Sequence, residues 1–242
     1  MTEYGDKIDI SVVVPAFNEE LCIEETLRSI NFFLKNTEEN YEIIVVDDCS
    51  YDHTSDILIR MEGEGFSVVI IKNEENRGKG FSVRRGCLAA RGRVVGFMDA
   101  DSSVVADEIK RFVSVIKTGD FDLAIASRKE KESRILKSQA WYREKMGAAG
   151  NGLIRSFLKI DIKDTQCGFK FFSCRFVEDI FPKLIVDRWL FDAEILKAAE
   201  KYKYNIKVLS VDWTHVDGSS VRLGSYLGAL RDILKIRKRW LS

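Results

Sequence analysis

The first hundred residues alternate short β-branched runs with stretches of helical periodicity, and that alternation leaves few folds open. Ile10-Ser11-Val12-Val13-Val14-Pro15 is apolar almost throughout and is halted by a proline, the pattern of a strand buried on both faces. Ile23, Leu27, Ile30 and Leu34 then recur on one face of a helix expected over 19–34, with Asn18 as its cap. Further strands are expected at 42–46, 68–71 and 94–98, and helices at 54–61 and 80–90. This order predicts an α/β, Rossmann-like fold: a mostly parallel central sheet, helices on both faces, and ligands at the strands' carboxyl ends. The second half is less regular. Strands are expected at 123–126, 168–173 and 206–213 and a helix at 191–201, with a basic segment from 128 to 145 between them.

Composition narrows the function classes. Lys+Arg and Asp+Glu both number 38, so bulk charge argues against a nucleic-acid partner. The five cysteines form no C-x-x-C pair, which fits a reduced, cytoplasmic compartment better than a disulfide framework or a zinc site. The N-terminus has no apolar core of a signal peptide, and no apolar run has the length of a transmembrane helix, so the chain is expected not to span a membrane.

Acidic residues follow two of the expected strands: Asp47 and Asp48 after the second, Asp99 and Asp101 after the fourth. In a parallel sheet these ends share one edge, and carboxylates gathered there need a cation or donors to neutralise them. Asp99-Ala100-Asp101 is a spacing that can present oxygens to one hard divalent cation bridging phosphates, although D-x-D alone also reads as a solvated turn. Pro15, Ala16, Phe17 and Glu19 end the first strand with an aromatic and polar acceptors suited to a nucleobase. Asp47 or Asp48 is placed to accept from ribose hydroxyls. Asn76-Arg77-Gly78-Lys79-Gly80 is a basic glycine turn before a helix, suited to a phosphate or base, but without the spacing of a P-loop.

Taken in order, SVVVPAFNEE, IIVVDDCSYDHT, NRGKGFSVRRG and the MDADS turn resemble the inverting family-two glycosyltransferases with the GT-A (nucleotide-diphospho-sugar transferase) fold. Asp164-Thr165-Gln166-Cys167-Gly168-Phe169-Lys170 and Arg188-Trp189-Leu190-Phe191-Asp192-Ala193-Glu194 resemble the dolichyl-phosphate β-glucosyltransferase branch. The resemblance implies that Pro15, Phe17, Glu19 and Asp48 hold the nucleotide. It also implies that Asp99 and Asp101 bind Mg²⁺ or Mn²⁺, and that Arg128 and Arg143 hold an acceptor phosphate. A guanidinium fork suits that last task on its own chemistry. Asp164 and Asp192 are expected to orient groups or contact the sugar, with Asp164 the candidate base if one is needed. Family members carry a Gly-Ser-Lys segment after the last strand; here Arg222 is the candidate replacement for the lysine.

The expected reaction is transfer of a sugar, with UDP-glucose the favoured donor, to dolichyl or another polyprenyl phosphate. The alternatives are a GDP-mannose or UDP-N-acetylglucosamine transferase, transfer to a soluble glycan hydroxyl, and a non-catalytic nucleotide-sugar-binding subunit. Residues 1–221 would form the catalytic domain. Residues 222–242 carry six basic residues against one acid, with Leu223, Tyr226, Leu227, Leu230, Leu234 and Trp240 at near-helical spacing. A basic amphipathic helix of this kind, ending in tryptophan, is expected to lie peripherally on the cytoplasmic face of a membrane. The alternative is that its apolar side packs on the domain.

Overall fold

The computed structural model describes residues 8–137, 141–215 and 225–241. Nine strands and eight α-helices are found among them. The first half follows β1 (Ile10–Ala16), α1 (Ile23–Lys35), β2 (Tyr41–Asp47), α2 (Thr54–Gly63), β3 (Val69–Lys72), α3 (Lys79–Ala89), β4 (Val94–Met98) and α4 (Glu108–Lys117). The second half follows β5 (Leu123–Ser127), β6 (Arg134–Lys137), α5 (Trp141–Leu158), β7 (Phe169–Ser173), α6 (Cys174–Ile180), a 3₁₀ turn (Phe181–Lys183), α7 (Phe191–Lys201), β8 (Ile206–Ser210), β9 (Asp212–Thr214) and α8 (Ser225–Trp240).

Seven strands form one sheet in the order β3-β2-β1-β4-β7-β5-β8, parallel except for β7. The chain winds outward from β1 through β2 to β3, then crosses back to β4, so a crevice opens at the carboxyl ends of β1 and β4. Strand alternation divides the core in two. Val12, Val14, Ile43 and Val45 face α1, α2 and α4, whereas Val13, Ile44, Val46 and Phe97 face α3, α6 and α7.

The antiparallel β7 is the exception in the mostly parallel sheet, and it shapes the site. Because it runs backward between β4 and β5, the loop before it arrives at the same edge as the carboxyl ends of its neighbours. Asp164 and Gly168 therefore meet groups that follow β4 and β5.

Three expectations on local structure are corrected. Asn18 does not cap α1: it adopts φ 56°, its Oδ1 accepts from Tyr51 N at 3.0 Å, and the helix begins five residues later, at Ile23. The run 206–213 is broken at the buried Val211 into β8 of the main sheet and β9, which pairs with β6. The terminal Trp240 faces inward, 4% exposed, in the same core cluster as Ile233, Ile236 and residues of α5 and α7. Leu230 and Leu234 on α8 stay exposed at 53% and 60%. No helix among the described residues is long and apolar enough to cross a membrane.

Candidate active site

The turn after β2 is built by its own acids. Asp47 Oδ1 accepts from Ser50 N at 2.9 Å, and Oδ2 accepts from the Ser55 hydroxyl. Asp48 accepts from Asn73 Nδ2 at 2.6 Å, Arg77 N at 2.9 Å and Gly78 N at 2.7 Å, while its own N–H donates to Ala16 O at 2.8 Å. Both carboxylates are buried and satisfied by protein donors. Asp48 thereby ties the basic glycine turn to the end of β1, a positioning role that spacing alone did not reveal. Phe17, after β1, packs edge-on against the exposed Tyr51, with ring centroids 5.2 Å apart. Tyr51 was not singled out from sequence; the signal available was an aromatic four residues past Asp47, the last residue of β2.

At the end of β4, Asp99 Oδ1 stands 2.5 Å from Lys79 Nζ, at the first residue of α3. That oxygen is buried and lacks a partner with hydrogen-bond geometry, so the contact is an ion pair alone. Burial works to lower the Lys79 pKa, but Asp99 and Asp192 outweigh it and the net shift is upward. Gly168 lies directly against Asp99: its carbonyl accepts from Asp99 N at 3.0 Å, and a Cβ there would overlap both carboxylate oxygens. Asp101 Oδ1 accepts from Ser103 N at 2.9 Å, and Ala100 O is held by Thr26 Oγ1 at 2.6 Å. Glu19 completes the acidic group. Burial raises its pKa, and the charges of Asp101 and Asp99 add to the rise.

On the other side of β7, Arg128 and Asp164 form a bidentate pair, with Nε–Oδ2 at 2.7 Å and Nη2–Oδ1 at 2.8 Å. Arg128 N at 3.0 Å and Gln166 N at 3.4 Å reach the remaining acceptor sites of Asp164, which is 2% exposed. Burial alone would raise this carboxyl, but the guanidinium holds it at about 2. To act as a base, Asp164 would have to give up part of its hold on Arg128. Arg128 Nη1 makes no hydrogen bond among the described residues, and the guanidinium stacks 5.4 Å from the Trp213 ring.

Asp192, in the first turn of α7, is buried and paired through Oδ1 with the Lys170 ammonium, which also donates to Cys167 O at 2.7 Å. Burial raises the Asp192 pKa, while Lys170 and Lys79 oppose the rise. Charges thus alternate across the edge from Asp99 through Lys79 to Asp192 and Lys170. Arg143 lies in α5, but its side chain is outside the described residues, and so is Arg222.

Comparison with known proteins agrees with this architecture. The profile of Glycosyl transferase family 2 matches residues 11–181. A dolichyl-phosphate beta-glucosyltransferase of Dictyostelium discoideum is 33% identical over 98% of this chain and 76% of its own length. Enzymes of the same name from Saccharomyces cerevisiae and Homo sapiens are 33% and 30% identical, each over 76% of its own length and over 98% and 96% of this chain. Among solved structures, glucosyl-3-phosphoglycerate synthase from Mycobacterium tuberculosis, with Mn²⁺, UDP and glucosyl-3-phosphoglycerate, superposes with a TM-score of 0.67 at 20% identity. That match covers 96% of this chain and 80% of the other, and it supports the GT-A fold. With its doubly wound sheet, its acids at the ends of β2 and β4 and a family match over most of its length, the chain belongs to glycosyl transferase family 2 and is a glycosyltransferase.

Proposed function

We propose that this chain transfers glucose from UDP-glucose to the phosphate of dolichyl or another polyprenyl phosphate, inverting the anomeric carbon. The observation that carries the reading is the meeting, at one sheet edge, of an Asp99–Lys79 pair with a stacked guanidinium at Arg128. Arg128 is close enough to Asp99 for the two charges to influence one another. The names of the relatives supply the glucose and the dolichyl phosphate.

Mg²⁺ or Mn²⁺ would be held by Asp99 and Asp101. Among the described residues no three His, Cys, Asp or Glu side chains form a closed cage. A cation bound chiefly by substrate phosphates and water needs only one or two carboxylates. Asp99 Oδ1, held by the Lys79 ammonium and by no hydrogen bond, would exchange that ion pair for the cation as Lys79 turns to the diphosphate. When bound, such an ion stabilises charge on the departing diphosphate.

The chain's own residues supply the rest. Pro15, Ala16, Phe17, Glu19 and Asp48 line or brace the nucleotide side, with Tyr51 adding a second aromatic beside Phe17. Lys79 offers its ammonium to the diphosphate. Arg128 presents Nη1 to the acceptor phosphate, together with Arg143, while Arg222 serves the donor. The new bond forms between a phosphate oxygen and the anomeric carbon as the bond from that carbon to UDP breaks. A phosphate acceptor is already anionic at neutral pH, so no side chain has to remove a proton. This agrees with Asp164 being locked to Arg128. Asp192 orients the site through its remaining oxygen and through Lys170.

Purified protein is to be incubated with radiolabelled UDP-glucose, dolichyl phosphate and Mn²⁺, with GDP-mannose and UDP-N-acetylglucosamine in parallel. Label is expected in the lipid phase from UDP-glucose, and its loss with EDTA or in Asp101→Ala. Transfer from another donor renames the substrate. No transfer from any donor, with nucleotide binding intact, ends the polyprenyl-phosphate reading.

We also place the chain peripherally on the cytoplasmic face of an anionic membrane. The contact is through exposed Leu230 and Leu234 of α8 with the neighbouring Arg231 and Lys235. Leu230→Asp/Leu234→Asp is expected to lower binding to vesicles containing phosphatidylserine by about tenfold, since each side chain loses its share of apolar burial and adds a repelled charge. Unchanged sedimentation with those vesicles would remove α8 from the contact.

A further inference from the structure

Glu194 is a fully buried carboxylate whose partners are two backbone amides and an indole. Oε1 accepts from Ile185 N at 3.0 Å and from Trp240 Nε1 at 2.9 Å. Oε2 accepts from Val186 N at 2.8 Å and shares Ile185 N at 3.1 Å. No salt bridge to it is found among the described residues. Burial raises its pKa, and the indole and the two backbone amides oppose the rise, so these hydrogen bonds are what hold the side chain in place.

What it fixes is the loop 184–188, which is the wall behind the basic glycine turn. Asp187 O accepts from Phe81 N at 2.9 Å, Asp187 Oδ1 from Arg84 Nη2 at 2.7 Å, and Leu184 O from Arg84 Nη1 at 3.0 Å. The turn is pressed onto this wall without room for side chains. A Cβ on Gly78 would stand 2.7 Å from Asp187 O, and one on Gly80 would stand 2.7 Å from Val186 O. Gly78 also adopts φ +105°, a conformation that L side chains rarely adopt. Lys79 lies between these two glycines, so its place beside Asp99 is set from one side by Asp48 and from the other by the 184–188 wall.

Trp240, near the end of α8, joins the same carboxylate. A recess of about 390 Å³, lined among others by Asn76, Arg77, Arg188, Asp232 and Lys235, separates the turn from α8. The hold of α8 on the turn therefore runs through Glu194 and not across that gap.

We infer that Glu194, fastened by Trp240, is a positioning residue that sets Lys79 and the glycine turn for the donor diphosphate. The inference rests on the UDP-glucose reading and adds a residue, remote from the reacting atoms, on which donor affinity depends. Gln at 194 keeps the size but must aim its NH₂ at a backbone or indole donor in either orientation.

The test compares Glu194→Gln, Trp240→Phe and the control Glu42→Gln by calorimetric binding of UDP with Mn²⁺, KM for each substrate, and Tm. Glu42 is likewise buried and accepts from Ser11 Oγ at 2.6 Å and Arg91 N at 2.7 Å, but at the opposite edge of the sheet. Glu194→Gln is expected to weaken UDP binding and raise KM for UDP-glucose by about tenfold, as unsatisfied buried donors displace the turn. Its KM for dolichyl phosphate should hold. Trp240→Phe should give a smaller change in the same direction, and decides the matter if Glu194→Gln is not recovered folded. Glu42→Gln should lose Tm with UDP binding intact. Equal UDP affinity in wild type and both site variants, or an equal loss in Glu42→Gln, overturns the inference alone. Wild-type protein that fails to bind UDP with Mn²⁺ takes down the UDP-glucose reading beneath it.

Discussion

Gly168→Ala is expected to lower glycosyl transfer about a hundredfold while the sheet around it stays folded. The position faces the Asp99 carboxylate so closely that an added methyl would overlap both of its oxygens. Non-bonded heavy atoms settle at about 3.5 Å, so the carboxylate has to move by about 1 Å or more. Backbone adjustment offers little relief, because Gly168 O is already bonded to Asp99 N and β7 pairs with β4 immediately beyond. A displacement of that size is enough to break the alignment of a bound cation and the leaving diphosphate. Steady-state kinetics with Mn²⁺ titration reads it: kcat should fall and the Mn²⁺ concentration needed for half-activity should rise, while UDP protection of Tm without metal stays unchanged. Wild-type kinetics in Gly168→Ala would mean that Asp99 does not hold the metal where the site requires it.

The fold was legible in the first half because burial and periodicity agree there. A strand such as 10–15, apolar at nearly every position, has to be covered on both faces, and the helices between strands supply the covers. The placement of Asp47, Asp48, Asp99 and Asp101 followed from that, since parallel strands end together. The direction of β7 was not legible: Phe-Lys-Phe-Phe-Ser reads as a buried strand either way, and only its neighbours decide. Residue roles set by distant partners were equally hidden. Asp164 meets Arg128 across 36 residues and Trp240 meets Glu194 across 46, so local sequence gave an available acid and a membrane-facing tryptophan where the structure has a locked ion pair and a core contact. Asn18 shows the opposite error. Its cap propensity is real, but the residue adopts a left-handed conformation and binds Tyr51 N. One signal was simply passed over: Ile109, Phe112, Val113 and Ile116 have the helical spacing that the structure realises as α4.

The pair Arg128–Asp164 joins stability to chemistry, and double substitution separates them. Arg128→Ala leaves a buried carboxylate without its partner, which costs about 3–5 kcal/mol. For a domain of this size the expected fall in Tm is on the order of 10 °C. Activity is expected to vanish with it, but that loss alone does not distinguish a failed fold from a missing phosphate anchor. Arg128→Met/Asp164→Leu removes both charges and fills the space with apolar groups, a change that in buried pairs is often neutral for stability. The double variant is therefore expected to regain most of the Tm and to remain inactive with dolichyl phosphate, while still binding UDP with Mn²⁺. Recovered transfer would remove Arg128 from the acceptor site and leave it a purely structural role. Acid unfolding supplies an independent check on the pair. The Asp164 carboxyl is held at about 2, below its ordinary 3.8, so its contribution is complete above pH about 4 and is lost as pH falls through 2. That shift corresponds to about 2 kcal/mol, and the acid limb of the stability curve should be shallower by about that amount in the double variant.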